Sequence, residues 1–328
     1  MTEHEKLLAA VAATIADYRE GEIVRPDAAH VEKWLAQFDE QVRAPLLAEM
    51  QHVLGKTYIS KAHVTAFLAA LVTNANLTGG DPKTFWRATK FLNIQTRGYS
   101  QRDFLTIFAL PLKAATGLDL AQCGTGCPSR FLYLDDGLYS GNTILNELKT
   151  WITNEAPVAA QVFVVTIALH RGGQFYARTR LEAHAKAAGK NVQFHWWRLV
   201  ELEDRKTYIN NSDVLRPKRV PDDERVKKYV MGFQHQPILR GADSVGDLKV
   251  FSTSAGRDLL EQEFLKKGCY IREASGNFNV YARPLGNMVL ETLGFGATIV
   301  TYRNCPNNAP LAFWAGKPWY PLFPRNTN

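Results

Sequence analysis

The chain has 328 residues, 46% of them hydrophobic, which is enough for one large domain or two ordinary ones with a packed core. Four cysteines in this length exclude a disulfide-stabilised scaffold and favour a reducing, cytoplasmic location. The net charge of +7 fits a small anionic ligand, a nucleic acid or neither, so charge alone selects no function. Because no apolar run approaches the roughly 20 residues of a membrane helix, we expect no membrane contact.

Helical periodicity dominates the first 80 residues. Apolar residues recur at helical spacing in four segments, which predicts helices over residues 4–20, 26–38, 42–54 and 63–73. The stretch Asn74–Asp81 contains Gly79-Gly80, and paired glycines of this kind mark a boundary. We therefore predict an N-terminal helical segment at 1–82 and an α/β domain at 83–328.

Strands and helices alternate over residues 91–199. Strands are predicted at 91–95, 131–134, 162–169 and 192–199, with helices at 101–112, 143–152 and 175–188 between them. This alternation predicts a parallel sheet with right-handed crossovers. Ligands in such sheets bind outside the carboxyl ends of the strands.

One stretch combines a strand, a polar loop and a helix start. Phe131–Leu134 predicts a short buried strand, and the carboxylates Asp135 and Asp136 are predicted to end it. A loop follows, consisting of Gly137, Leu138, Tyr139, Ser140, Gly141, Asn142 and Thr143. Thr143 opens an amphipathic helix, whose first-turn amides and dipole favour an anion.

The two carboxylates repel phosphate, so this stretch does not predict a bare phosphate site. A ligand with a phosphate at one end and vicinal hydroxyls or a bound cation nearby would use both the loop and the acids. A ribose 5-phosphate has that shape. The alternative interpretation is an ordinary strand end, in which the acids and the glycine turn cap the helix.

The order of four apolar residues, Asp-Asp, three residues, Ser-Gly, one residue and Thr resembles the signature of type I phosphoribosyltransferases. It departs from the usual pattern at Gly137, Ser140 and Asn142. The resemblance implies that Asp135 and Asp136 are catalytic and hold ribose hydroxyls, directly or through Mg²⁺. It also implies that residues 137–143 bind the 5-phosphate of 5-phosphoribosyl-1-pyrophosphate (PRPP) or of a nucleotide.

An earlier loop repeats the arrangement of strand, glycine and helix start. Its candidate residues are Arg97, Gly98, Ser100 and Gln101. In phosphoribosyltransferases an earlier loop of this kind faces the pyrophosphate, so the resemblance implies that role here. The alternative is an ordinary turn with a solvated arginine.

A wider resemblance covers most of residues 30–325. It is carried by the Gln95-x-x-Gly98-x-Ser100-Gln101 pattern, the Asp-Asp motif, Gly294-Phe-Gly296, Pro306-Asn-Asn-x-Pro310, Trp314 and Trp319. These residues are similar to the phosphoribosyltransferase-like effector domains (PRTase-CE type) of bacterial conflict systems, some of which belong to retrons. The resemblance implies an α/β fold with a parallel-sheet phosphoribosyltransferase-like core, an N-terminal helical segment and an irregular C-terminal extension.

The same resemblance implies an anti-phage effector that acts at an anomeric carbon, beside a reverse transcriptase–msDNA complex or other defence proteins, and that is compatible with an oligomer. The first alternative is a catalytically silent module that senses a nucleotide or scaffolds a ribonucleoprotein. The second is a nucleic-acid binder that uses the basic stretch 216–228, which is otherwise a solvated surface. The aromatic residues of 304–325 are expected to pack across the sheet end.

Overall fold

The computed structural model describes residues 1–96, 98–241, 249–276 and 278–325. The helices of this part of the chain are α1 (Glu3–Thr14), α2 (Ala28–Leu35), α3 (Glu40–Thr57), α4 (Lys61–Val72), α5 (Ala75–Thr78), α6 (Pro82–Arg87), α7 (Ser100–Thr116), α8 (Asn142–Asn154), α9 (Arg171–Ala187), α10 (Glu224–Met231), α11 (Ser254–Ser275) and α12 (Leu311–Trp314). The strands are β1 (Tyr58–Ile59), β2 (Thr89–Phe91), β3 (Arg130–Leu138), β4 (Ala159–His170), β5 (Asn191–Leu202), β6 (Ala282–Arg283), β7 (Gly286–Asn287) and β8 (Val300–Thr301). No helix among the described residues is long and apolar enough to cross a membrane.

The chain divides into two compact units. The sheet unit is Ala62–Leu202, and the terminal unit joins Met1–Lys61 to Glu203–Asn328. The predicted boundary between a helical segment at 1–82 and an α/β domain at 83–328 stays a prediction.

The sheet unit is built on four parallel strands in the order β2-β3-β4-β5. Helices α8 and α9 cover one face, where Tyr133, Val164 and Leu148 belong to one buried apolar cluster. On the other face, the Phe85 ring of α6 packs edge-on against Phe163, 5.3 Å between centroids. The predicted α/β class with a parallel sheet is confirmed.

Strand β3 runs further than the sequence predicts. Asp135 and Asp136 do not end it, because Asp135, Gly137 and Leu138 keep their register with Thr166, Ala168 and Leu169 of β4. The backbone pairing with a longer neighbour outweighs the low strand propensity of the two acids. Asp135 and Asp136 therefore lie near the carboxyl end of a paired strand and not in a loop.

Strand β2 is shorter than predicted and ends at Phe91. The amides of Ile94 and Gln95 donate to the side-chain oxygen Oε1 of Gln101, at 2.9 and 3.0 Å. The Gln101 side chain of α7 thus accepts the hydrogen bonds of these two amides. In a longer β2 the same amides would donate to the neighbouring strand.

The terminal unit brings the two ends of the chain together. The Trp34 indole of α2 donates to the Ala312 carbonyl at 2.8 Å, and its ring packs on Phe264 of α11. Strands β1 and β8 pair in parallel, Tyr58 with Val300. The predicted irregular C-terminal extension is confirmed. The expectation that its aromatics cross the sheet end is wrong, because the Phe313 ring packs on Phe264 within this unit.

A buried ion cluster fastens the loops of the terminal unit to α11. Glu261 accepts from Arg257 Nε at 2.9 Å and from Arg240 Nη2 at 2.7 Å, and all three side chains are at most 1% exposed. The Arg216 amide donates to the same carboxylate at 2.8 Å. We call Arg240, Arg257 and Glu261 the arginine cluster.

Candidate functional site

Asp135 lies near the carboxyl end of β3 and is 5% exposed. Its Oδ1 accepts from the Ser100 hydroxyl at 2.7 Å and from the Asp136 amide at 2.8 Å. The side chain therefore points into packed protein, and one of its oxygens already has two donors.

The second oxygen of Asp135 belongs to a buried hydrogen-bonded chain. The Tyr133 hydroxyl lies 3.3 Å from Asp135 Oδ2 and 2.6 Å from Glu147 Oε2. A phenol has one proton, and the shorter distance assigns that proton to Glu147. The Tyr133 oxygen can then accept a hydrogen bond, which a protonated Asp135 carboxyl would donate. We call Tyr133, Asp135 and Glu147 the acid cluster.

The charges of the acid cluster favour this assignment. Burial raises the pKa of Asp135 well above its ordinary value, and the neighbouring Asp136 carboxylate raises it further. Burial also raises the pKa of Glu147, although the hydrogen bond from Tyr133 lowers it. The Tyr133 hydroxyl lies between the carboxyl groups of Asp135 and Glu147. A proton on Asp135 would leave one negative charge beside this hydroxyl and not two.

Asp136 lies in a different environment from Asp135. It is half-buried, and the alternation of a strand places it on the opposite face of the sheet. The two acids that the sequence treats as a pair therefore have separate surroundings. Asp136 is the one that a ligand reaches more readily.

The loop after β3 is shaped by close packing. A Cβ at Gly137 would overlap the Tyr139 ring, which packs against His170 with 5.0 Å between centroids. Gly141 has φ 80°, and a Cβ there would lie 2.5 Å from the Gly173 carbonyl oxygen. Gly141 is thus required by a neighbouring backbone atom, whereas a side chain at Gly137 would need the Tyr139 ring to move. Neither reason involves the approach of a phosphate.

The start of α8 has the geometry expected of an anion site. The first backbone bond of the helix runs from the Leu145 amide to the Gly141 carbonyl. The amides of Asn142, Thr143 and Ile144 precede that bond and have no carbonyl within the helix to donate to. Ser140 is half-buried and Thr143 is exposed, so two hydroxyls flank these amides.

The structure brings the earlier loop to the acid cluster. Besides its bond to Asp135, Ser100 Oγ accepts from Gln95 Nε2 at 2.7 Å, and Ser100 and Gln101 are both buried. Gly98 has φ 84°, which favours glycine. Arg97 lies outside the described residues. The predicted pyrophosphate role of this loop stays a prediction.

Sequence reasoning missed the partners of Asp135. Tyr133 is two residues earlier on the strand and therefore shares its face. Glu147 is an acid within the apolar face of α8, beside Leu148 and three residues after Ile144. Thr166, which pairs with Asp135 in register, is a polar residue within the apolar run 162–169 of β4, and its hydroxyl is buried with no hydrogen-bond partner in the described part of the chain. Each was visible as a polar residue in an apolar pattern.

The residues present fit Mg²⁺ only through Asp136. Magnesium is usually held by one or two carboxylates together with water and ligand oxygens. Cation binding at Asp135 would have to compete with the Ser100 hydroxyl and the Asp136 amide. No group of three or more His, Cys, Asp or Glu side chains within the described ranges could hold a metal ion.

Comparison with known proteins gives one match. The family model PRTase-CE matches residues 31–325, nearly the whole chain. No curated protein and no solved structure matches the sequence.

Proposed function

The chain belongs to the PRTase-CE family, and from that premise we propose that it binds a ribose 5-phosphate ligand where β3 passes into α8. The family suggests a phosphoribosyltransferase-like effector domain. The observation that carries the proposal is the order of elements at this edge: a half-buried Asp136, a loop fixed by glycines, and three first-turn amides of α8. An acid followed by phosphate-binding amides suits a ribose that is joined to a phosphate. PRPP and a nucleotide both contain this group.

Each part of the site has a proposed role. Residues 137–143 bind the 5-phosphate through the first-turn amides and the hydroxyls of Ser140 and Thr143. Asp136 holds the ribose hydroxyls, directly or through Mg²⁺. Asp135 is a positioning residue, because its contacts fix the Asp136 amide and the start of α7 and do not leave it open to a ligand.

The proposed reaction takes place at the anomeric carbon of the ribose. Its transition state has oxocarbenium character, so the placement of charge and the orientation of the acceptor supply most of the rate. Mg²⁺, when bound, would neutralise the diphosphate oxygens. The half-buried Asp136 is the negative charge that faces the developing cation, while burial disfavours a second negative charge on Asp135, which would repel the phosphate.

The family relationship also motivates a biological proposal. We propose that this domain is the effector of a bacterial anti-phage system, in some cases a retron with its reverse transcriptase and msDNA. Depletion of a nucleotide, a cofactor or PRPP would then arrest the infected cell.

One observation favours a second candidate, a catalytically silent module that senses a nucleotide. Asp135 is occupied by internal hydrogen bonds, so a single aspartate remains for the ligand. A site in which Asp136 alone meets the ligand is sufficient for binding, and a sensor or scaffold needs no more.

Calorimetric titration with PRPP and Mg²⁺, followed by a product assay, separates these functions. Binding with product supports the enzyme, and binding without product supports the sensor. The matched variants are Asp135→Asn with Asp136→Asn at the site and Asp119→Asn as an exposed control in the same unit.

In cells, metabolite profiling would compare the wild type with the same variants. We expect the double variant to abolish turnover and toxicity while it stays folded. Wild-type turnover in the double variant would refute the proposed site, and absence of any PRPP or nucleotide binding by the wild type would refute both functions.

A further inference from the structure

The terminal unit contains an open cavity of about 460 Å³ between α10, α11 and the segment 283–291. Its volume lies within the range of small-molecule sites. None of its lining residues belongs to the acid cluster or to the loop after β3. The cavity is therefore separate from the candidate active site in sequence and in its chemistry.

The charge of the lining is positive. Among the lining residues that the structure describes, Arg225, Lys228, Arg272 and Arg283 contribute four cations, and the acids are Glu273 and Glu291. Four positive and two negative side chains leave a net charge of +2.

Both acids already accept hydrogen bonds. Glu273 Oε2 accepts from Arg225 Nε at 2.8 Å, and Glu291 Oε2 accepts from the Gln234 amide at 2.7 Å. A concave positive surface of this kind concentrates anions.

Aromatic rings lie among the cations. Tyr229 and Phe233 form an edge-on pair with centroids 5.1 Å apart. The Arg272 guanidinium lies 5.6 Å from the Tyr229 centroid, and the Arg283 guanidinium lies 6.0 Å from the Phe233 centroid. Rings beside guanidinium groups are the surfaces on which nucleic-acid bases stack.

Two polar atoms of the described lining are buried without a partner, the Tyr229 hydroxyl and one arginine donor. Arg283 Nε has no hydrogen-bond partner within the ranges that the structure describes. Buried donors are normally paired, and arginine presents its donors as a fork that matches phosphate oxygens. This donor, together with the cavity and its charge, indicates an anionic ligand.

We propose that this cavity binds a nucleotide, with the phosphate among the four cations and the base against Tyr229 and Phe233. The shared chemistry is a phosphate joined to an aromatic base. The ligand is either a free mononucleotide or one nucleotide of a single-stranded nucleic acid. The site would give an effector domain a nucleotide input distinct from its substrate.

The test compares two neighbouring lysines on α10. Lys228 lines the cavity, whereas Lys227 is exposed, does not line it and contacts Asp222 and Glu224. Lys228→Met and Lys227→Met change the net charge equally. Binding of 5′-AMP, adenosine, inorganic phosphate and a short single-stranded oligonucleotide is measured by calorimetry for both variants and for the wild type.

We expect 5′-AMP to bind the wild type, with affinity about tenfold lower in Lys228→Met and unchanged in Lys227→Met. Tyr229→Leu should weaken 5′-AMP by about tenfold and leave inorganic phosphate unaffected, because a stacking surface is lost. Tighter binding of the oligonucleotide than of 5′-AMP would identify a strand as the ligand, and equal binding would identify the free nucleotide.

Asp136→Asn separates this site from the proposed active site, since it should leave binding here unchanged. Equal losses in Lys227→Met and Lys228→Met, or no binding of 5′-AMP and oligonucleotide by the wild type, would overturn the proposal. So would loss of binding in Asp136→Asn, because the nucleotide would then occupy the active site.

Discussion

The acid cluster of the sheet unit and the arginine cluster of the terminal unit both bury charge, and they neutralise it in different ways. In the acid cluster, a hydroxyl and an amide surround Asp135, and burial raises its pKa. In the arginine cluster, one carboxylate joins two guanidinium groups. A carboxylate can take up a proton, whereas an arginine keeps its charge and needs an anion.

This difference indicates that the charge of the acid cluster can change, whereas the arginine cluster has a structural role. The raised pKa values of Asp135 and Glu147 make the charge of the acid cluster sensitive to pH, a property that is common at functional sites. The arginine cluster is fixed, and its carboxylate also ties the Arg216 amide to α11. We therefore expect substitutions in the second cluster to affect folding and those in the first to affect pH dependence and binding.

The largest effect is expected for Glu261→Gln. This substitution keeps the shape of the side chain but removes the carboxylate that two buried guanidinium groups share, which costs about 3–5 kcal/mol of unfolding free energy. Urea denaturation measures it. Glu182→Gln, which removes an exposed ion pair with Arg178, is the control and should cost about 0.5 kcal/mol or less. A loss below about 1 kcal/mol for Glu261→Gln would contradict the architectural role.

Gly173→Ala should have the next largest effect. Its Cβ would overlap the Tyr139 carbonyl oxygen, and overpacking of this kind costs about 1–3 kcal/mol. The loop after β3 must shift to accommodate it, so ligand affinity should fall as well. Thermal unfolding and calorimetry check the two effects. Gly55→Ala on α3, where a Cβ has no atom within 4 Å, should not destabilise the protein; equal losses in both would show that the close packing at Gly173 is unimportant.

Asp135→Asn should change the pH dependence of stability. Because the folded state holds the proton more tightly than the unfolded chain, the wild-type unfolding free energy should fall as pH rises between the two pKa values. The fall is at most about 1.4 kcal/mol per pH unit from this group. Asparagine mimics the protonated acid, so the variant should be more stable at neutral pH and have a flatter slope.

Urea denaturation from pH 4 to pH 8 tests this expectation, with Asp119→Asn as the variant that should keep the wild-type slope. A steeper fall in Asp135→Asn, or a loss of stability at neutral pH, would show that Asp135 is ionised in the folded protein.

Ser100→Ala is expected to have the smallest effect. The substitution removes the hydrogen bond that Ser100 donates to Asp135 and the one that it accepts from Gln95, at a cost of about 1 kcal/mol each. The Ser100 hydroxyl lowers the Asp135 pKa, so its removal should raise that pKa and extend the pH-dependent window upward. The same denaturation series measures both. Thr106→Ala removes a hydroxyl from the exposed side of the same helix and should change stability by less than about 0.5 kcal/mol; an equal effect there would show that Ser100 has no special role.

Local patterns predicted the parallel sheet well. The apolar runs of β3 and β4 and the amphipathic face of α8 identify those elements, because period and burial are local properties of the sequence. The end of β3 was not predictable in the same way, since register with Thr166 and Leu169 keeps the strand paired through Leu138. The low strand propensities of Asp135 and Asp136 do not reveal that a neighbouring strand pairs with them.

Other features depend on contacts between distant residues. Trp34 meets Ala312, and Tyr58 pairs with Val300, so the joining of the chain ends depends on tertiary packing. The strand and the helix that form the candidate site were predicted, but the separate environments of Asp135 and Asp136 were not. Glu147 within an apolar helix face was the one local signal of a buried acid partner.

The central claim is that a ribose 5-phosphate ligand binds beside Asp136 at the start of α8. Calorimetric titration of PRPP with Mg²⁺ into the wild type, Asp136→Asn and Asp119→Asn tests it most directly. We predict equal binding by the wild type and Asp119→Asn, and affinity at least about tenfold lower in Asp136→Asn, since a charge-assisted hydrogen bond is lost. Equal affinity in all three proteins would contradict the claim.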